Sequence, residues 1–104
     1  MFIEKLENED VKYFVENYFK GFEVVNCVKG EGFIQFELGD QHTESTLKFV
    51  ATDFACKGSN IMARCGEDIA NEKWIEYLTD KFGKEYKTEK LNYVKSIKNQ
   101  DIVK

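Results

Sequence analysis

Residues 9–38, EDVKYFVENYFKGFEVVNCVKGEGFIQFEL, decide the fold, because the spacing of the apolar side chains changes within this stretch. In its first part the apolar side chains recur three and four positions apart, at Val11, Phe14, Val15, Tyr18, Phe19 and Phe22. This spacing predicts an amphipathic helix over residues 9–20. After Gly21 apolar and polar residues alternate instead, which is typical of a strand with one buried face. The stretch therefore predicts a helix followed by a β-hairpin.

The ends of these elements are also visible in the sequence. We expect Asn8 to cap the helix and Gly21 to end it, since Asn accepts hydrogen bonds from free amides and Gly tolerates positive φ. Strands are predicted over residues 23–28 and 33–38, joined by the glycine-rich turn at residues 29–32.

The pattern of alternation continues beyond the hairpin. A third strand is predicted over residues 46–54, with Leu47, Phe49 and Ala51 on its core face. Residues 56–60 have the composition of a turn, and residues 60–65 fit a short fourth strand. Successive hairpins predict an antiparallel meander with one buried face.

Helical spacing returns after Gly66, with a core stripe at Trp74, Ile75, Leu78 and Phe82 and a stop at Gly83. Residues 86–98 fit either a helix capped by Thr88 or a strand, and we favour the helix. The order αβββ(β)αα predicts a single α+β domain over residues 1–104. We expect an antiparallel three- to four-stranded meander with an N-terminal helix and one or two C-terminal helices.

Charge is distributed unevenly along the chain. Residues 1–80 hold 16 acidic and 8 basic residues, whereas residues 81–104 hold 3 acidic residues and 7 lysines. Such asymmetry bears on the choice of partners rather than on the fold. An acidic body disfavours direct binding to nucleic acid, because that affinity comes mainly from Lys and Arg at phosphates.

Cysteine and histidine are too few and too far apart for a metal site. Cys27, Cys56, Cys65 and the only histidine, His42, lack the close ligand pairs of structural zinc sites, so we expect neither a metal nor a cofactor. The chain shows no apolar run of transmembrane length and no signal peptide, so we expect reduced thiols and a cytoplasmic location.

The sequence shows no catalytic motif. It has no glycine-rich phosphate-binding loop, and any Cys–His or Ser–His–Asp arrangement would have to use His42. We therefore expect a protein that is not an enzyme. A small ligand-binding or enzymatic domain that uses His42 is the alternative.

One row of carboxylates stands out on the second long helix. Asp68, Glu72, Glu76 and Asp80 recur every four residues, and like charges at this spacing destabilise a helix slightly. Two interpretations stay open: an outer face that only promotes solubility, or a ridge that meets a basic surface on a protein partner. In the second interpretation Glu67 and the loop residues Asp40 and Glu44 would support the ridge. Tyrosines could serve there as anchors or lie at the core edge: Tyr13, Tyr77, Tyr86 and Tyr93.

In size, element order and acidic balance the whole chain resembles small phage-encoded or mobile-element proteins, including some CRISPR inhibitors. It is also similar to the small immunity proteins that neutralise nuclease toxins. The resemblance implies an acidic inhibitor, monomeric or homodimeric, that occupies the nucleic-acid-binding surface of a nuclease or related enzyme.

The element order and the sheet raise two further possibilities. The α-β-β-β-α order is similar to that of double-stranded-RNA-binding domains, but those need a basic patch where this chain has Glu67, Asp68 and Glu72. The other possibility is a structural subunit that dimerises through its sheet, which would require an apolar patch around Phe33 or Val50.

Overall fold

The computed structural model describes residues 2–40 and 45–102, and it shows an α+β fold with the predicted layout. After a 3₁₀ turn at Ile3–Lys5 come α1 (Asn8–Tyr18), β1 (Phe22–Lys29), β2 (Ile34–Asp40), β3 (Thr46–Ala51), β4 (Cys56–Gly58), α2 (Ile61–Cys65), α3 (Glu67–Phe82) and α4 (Lys84–Ile102). The four strands form one antiparallel sheet in the order β1-β2-β3-β4.

The sheet has one apolar and one mixed face, as alternation predicts. On the inner face Cys27, Phe36 and Phe49 lie side by side across β1, β2 and β3. On the outer face Val50 lies between Gln35 and Lys57. The surroundings of Val50 are therefore polar.

Two groups of aromatic side chains fill the core between the sheet and the helices. Phe14 of α1 meets Trp74 of α3 edge to face, with ring centroids 5.0 Å apart. The second group joins Phe2 to Tyr86 of α4, also at 5.0 Å. Each group is tied to the turn after β3: Trp74 Nε1 donates to the Thr52 carbonyl at 2.8 Å, and the Tyr86 hydroxyl donates to the Asp53 carbonyl at 2.7 Å.

Helix α1 differs from the prediction at both ends. Its N-cap is Glu7 rather than Asn8, because Glu7 and Asp10 form a capping box in which the Asp10 carboxylate accepts from the Glu7 amide at 2.7 Å. The helix ends at Tyr18, two residues before the predicted end, and Gly21 follows with φ +95°.

The predicted fourth strand over residues 60–65 was wrong. The strand is Cys56–Gly58, and Ile61–Cys65 is a helix that begins because the Asn60 side chain accepts from the Ala63 amide at 3.0 Å. This helix passes so close to β4 that a Cβ on Gly58 would lie 2.5 Å from the Ala63 carbonyl carbon.

The C-terminal helices confirm the favoured interpretation of residues 86–98. Helix α3 ends at Gly83, which has φ +64°, and α4 follows at once. Thr88 therefore lies inside α4 and does not cap it. Among the described helices, none combines the length and the hydrophobicity that crossing a membrane requires.

Candidate functional site

Helix α3 presents carboxylates on the side that faces away from the core. Its inner side is buried through Ala70, Trp74, Tyr77 and Leu78. Four exposed carboxylates share the opposite side, and we call them the acidic face: Asp68, Glu72, Glu76 and Asp80. At 1.5 Å rise per residue each step along the axis is ~6 Å, so the row is ~18 Å long.

Ion pairs within the described residues do not neutralise the acidic face. Where the structure describes side chains, Lys81 pairs with Asp10 at 2.9 Å and Lys5 pairs with Glu85 at 3.7 Å. No carboxylate of the acidic face forms an ion pair with a lysine or arginine of this described part. The row is therefore available to cations from outside the protein.

Asp80 differs from the other three members because it touches α1. Its Oδ2 accepts from the Tyr18 hydroxyl at 2.8 Å. Burial, this hydrogen bond and the Asp80 charge together raise the pKa of Tyr18 to about 12. Tyr18 thus stays neutral and fixes one end of the acidic face against α1.

Glu67, predicted to support the ridge, has a role in the fold. Its Oε1 accepts from the Gly58 amide at 2.9 Å, and the Asn71 side chain accepts from the Cys56 amide at the same distance. These two side chains satisfy the amides of β4, whose free edge would otherwise expose them. Of the other predicted supporters, the side chain of Asp40 and the whole of Glu44 lie outside the described residues.

The chemistry predicted for a catalytic alternative is not assembled in the described part of the chain. His42 lies outside that part. Burial raises the pKa of the Cys27 thiol, and burial followed by the Glu67 charge raises that of Cys56 to about 12. Both thiols are therefore protonated at neutral pH, whereas a nucleophile requires the thiolate. The described residues contain no cluster of His, Cys, Asp and Glu that could hold a metal ion.

A cleft opens between α1 and α3 at the Asp80 end of the acidic face, and we call it the aromatic cleft. Its volume is about 460 Å³, and its lining residues are Glu9, Asp10, Tyr13, Tyr18, Tyr77, Asp80 and Lys81. The ring of Tyr77 lies 5.7 Å from that of Tyr18 and 6.1 Å from that of Tyr13. Three carboxylates against one ammonium group give this lining a net charge of −2.

Lys81 and Asp10 close one side of the cleft. Both Asp10 oxygens are occupied, Oδ1 by the Lys81 ammonium at 2.9 Å and Oδ2 by the Glu7 amide at 2.7 Å. Burial raises the pKa of Asp10, but the Glu7 amide and Lys81 outweigh burial and hold that pKa below its usual value. Asp10 is therefore a structural carboxylate rather than a free one.

The four tyrosines suggested as anchors divide into two pairs. Tyr13 and Tyr77 both line the aromatic cleft. Tyr86 and Tyr93 lie instead around Phe54, with centroids 5.6 and 4.8 Å away. Only the first pair is next to the acidic face.

No protein-family model matches the chain, and the comparisons with curated proteins and with solved structures likewise gave no match. We therefore infer the function from the chain's own residues.

Proposed function

We propose that the chain is a non-enzymatic protein-binding module: a small acidic inhibitor whose acidic face docks on the basic, nucleic-acid-binding surface of a larger enzyme. The observation that carries the proposal is the exposed row Asp68, Glu72, Glu76 and Asp80, which the described lysines and arginine leave unpaired. A cytoplasmic location belongs to the same proposal and fits the three free cysteines.

The acidic face would bind a basic partner through electrostatic attraction. Like charges at i, i+4 destabilise an isolated helix by a few tenths of a kcal/mol per pair, and a basic partner turns this repulsion into attraction. Complementary charge also raises the association rate and makes it depend on ionic strength. The ~6 Å steps are wider than the ~3.4 Å charge spacing of one DNA strand, so the resemblance to nucleic acid is one of sign and shape rather than of register.

The other two candidates have less support from the geometry. A ligand-binding or enzymatic role would depend on His42, and burial raises the pKa of the half-buried Cys27 thiol and of the buried Cys56 thiol, so both are held protonated. Dimerisation through the sheet would depend on an apolar outer face, but Val50 is flanked by Gln35 and Lys57. The ring of Phe33, the second residue named for that patch, packs against Gly30.

The test uses the protein as bait together with two matched double variants. Glu72→Lys/Glu76→Lys reverses the centre of the acidic face, and Glu16→Lys/Glu31→Lys makes the same change in net charge at exposed positions elsewhere. We expect a nucleic-acid enzyme to be captured by the wild type and the control but lost by the face variant. With that enzyme purified, the face variant should weaken binding by more than fivefold and reduce its dependence on salt.

Circular dichroism of both variants checks that they fold. Equal affinity of the face variant and the control variant for the captured enzyme would exclude the acidic face as the docking surface. Capture of enzymes with acidic rather than basic surfaces would contradict the proposal as well.

A further inference from the structure

We propose that the aromatic cleft is the anchor site for an arginine side chain of the basic partner. This inference rests on the proposed function and names the group that the docking surface recognises. The cleft lies at the end of the acidic face, since Asp80 belongs to both. A partner that lies along α3 could therefore place an arginine side chain in the cleft while the backbone of this chain stays as it is.

Tyr77 provides the first indication of a ligand. Its side chain is only 3% exposed, and no described residue hydrogen-bonds to its hydroxyl. Burial raises the pKa of this hydroxyl, and three neighbouring groups that line the cleft raise it further: Asp10, Tyr18 and Tyr13. Since no fully enclosed side-chain oxygen of the described residues lacks a partner, the Tyr77 oxygen must be reachable from the cleft. Because a hydrogen bond to a charged group stabilises more than one to a neutral group, this accessible oxygen can gain from a charged donor supplied by a ligand.

Asp80 provides the second acceptor. Its Oδ2 holds the Tyr18 hydroxyl, but Oδ1 has no hydrogen-bond partner in the described part of the chain. Asp10, the partly buried carboxylate of the cleft, has both oxygens occupied. The cleft thus offers the Tyr77 hydroxyl and the Asp80 Oδ1 as acceptors, in a lining with net negative charge. This combination favours a cation that carries several N–H groups, because one such group can donate to both oxygens.

The aromatic walls favour guanidinium over ammonium. Tyr13 is 57% exposed and lies beside Tyr77, so a planar group entering the cleft can stack on its ring. Guanidinium stacks on aromatic rings and has five N–H donors in a fixed plane, whereas ammonium is a compact and strongly hydrated charge. The volume of about 460 Å³ lies within the ~300–1,000 Å³ range of ligand pockets.

The test is an NMR titration of the full chain with blocked tripeptides. Acetyl-Gly-Arg-Gly-amide is the probe, the citrulline peptide removes the charge at nearly constant shape, and the lysine peptide keeps the charge without the plane. We expect the arginine peptide to shift the ring resonances of Tyr13, Tyr18 and Tyr77 saturably. The lysine peptide should bind at least threefold more weakly, and the citrulline peptide should give no saturable shift.

Two variants in the cleft and one outside it assign the site. Tyr77→Phe and Asp80→Asn should each weaken binding of the arginine peptide at least fivefold, whereas Tyr93→Ala on α4 should leave it unchanged. Tyr77→Phe removes a hydroxyl that has no partner in the fold, so its thermal stability should equal or exceed that of the wild type. A loss of stability in Tyr77→Phe would show that the hydroxyl serves the fold and would overturn the proposal.

The titration separates this proposal from the proposed function. Absence of a saturable shift, or equal binding of the citrulline peptide, overturns the arginine site even if the acidic-face variant loses its partner. Free arginine that binds more tightly than the blocked peptide overturns the assignment to a partner's side chain. Saturable binding that depends on Tyr77 and Asp80 supports the site, and failure of the capture experiment would then count against the docking face alone.

Discussion

Helices α3 and α4 are both long and highly charged, but they are attached to the body in different ways. Helix α3 buries four residues, and its sequence holds five acidic residues against two lysines. Helix α4 has five lysines against three acidic residues, and of its side chains that the structure describes, over residues 84–97, only Tyr86 is buried. Three large apolar side chains of α4 are at least 41% exposed: Leu91, Tyr93 and Ile97.

This difference shows why the acidic face belongs on α3. Burying a side chain the size of Trp74 stabilises the fold by several kcal/mol, whereas repulsion in the acidic row costs a few tenths per pair. A helix anchored in this way can keep a row of like charges in a fixed geometry, which a docking surface requires. Helix α4 has its anchor, Tyr86, in its first turn, and the exposed side chains at Leu91, Tyr93 and Ile97 give the later turns a lower local stability.

The largest expected effect comes from removing the anchor of α3. Trp74→Ala should lower the free energy of unfolding by about 3–5 kcal/mol, because it leaves a cavity beside Phe14 and frees the Thr52 carbonyl. Leu91→Ala in α4, 55% exposed, should change it by less than about 0.5 kcal/mol. Urea titrations followed by far-UV circular dichroism measure both, since Trp74 is the only tryptophan.

Trp74→Phe keeps this comparison usable if Trp74→Ala does not fold. It retains an aromatic ring but loses the hydrogen bond to Thr52, so we expect a smaller destabilisation than for alanine. If Leu91→Ala were as destabilising as either Trp74 variant, the two helices would not differ in attachment as described.

The next effect concerns the residues that bound α3. Gly83 has φ +64° and ψ −135°, a conformation that L-residues rarely adopt, whereas Gly66 has φ −109°. A Cβ at either position meets nothing within 4 Å, so the two differ in backbone strain and not in space. Gly83→Ala should therefore destabilise by about 1–3 kcal/mol, and Gly66→Ala should be neutral or slightly stabilising.

Thermal unfolding of both glycine variants measures this difference. In Gly83→Ala we also expect faster amide exchange in α4, because the strained junction lies between it and the anchored helix. Equal melting temperatures for the two variants would show that the junction relaxes freely.

The spacing of apolar residues predicted most of the fold, because most helices and strands show their own periodicity in the sequence. The helical stripe of Trp74, Leu78 and Phe82 and the alternation in β2 both depend on burial of one face. The region of Cys56–Gly58 and Ile61–Cys65 could not be predicted in this way. Both elements are too short to show a period, and β4 exists because it pairs with β3.

The acidic face could be predicted, whereas the aromatic cleft could not. Every member of the acidic face lies on α3, so spacing alone placed the four carboxylates on one side. The cleft needs Tyr13 and Tyr18 from α1 beside Tyr77 from α3, and no local pattern shows that these two helices pack together. The tyrosines were visible in the sequence as possible anchors, but their division into two pairs follows from tertiary packing.

The smallest effect tests the ion pairs that tie each helix to the body. Asp10 joins α1 to Lys81 of α3 at 2.9 Å, and burial, which raises its pKa, is outweighed by the Glu7 amide and Lys81. Because the folded pKa lies below the ordinary value of 3.8, the stabilisation is complete above that value and is lost as the pH falls through the folded pKa. Asp10→Asn should therefore lower stability near neutral pH by about 1 kcal/mol and flatten its decline below about pH 4.

The equivalent pair on α4 gives the matched control. Lys5 and Glu85 are 3.7 Å apart with side chains 55% and 66% exposed, so Glu85→Gln should change stability at neutral pH by less than about 0.5 kcal/mol. Urea titrations between about pH 2.5 and pH 7 measure both variants. If Asp10→Asn kept the acid sensitivity of the wild type, another carboxylate would control the stability at low pH. If Glu85→Gln were the more destabilising variant, α4 rather than α3 would be the helix that depends on charge for its attachment.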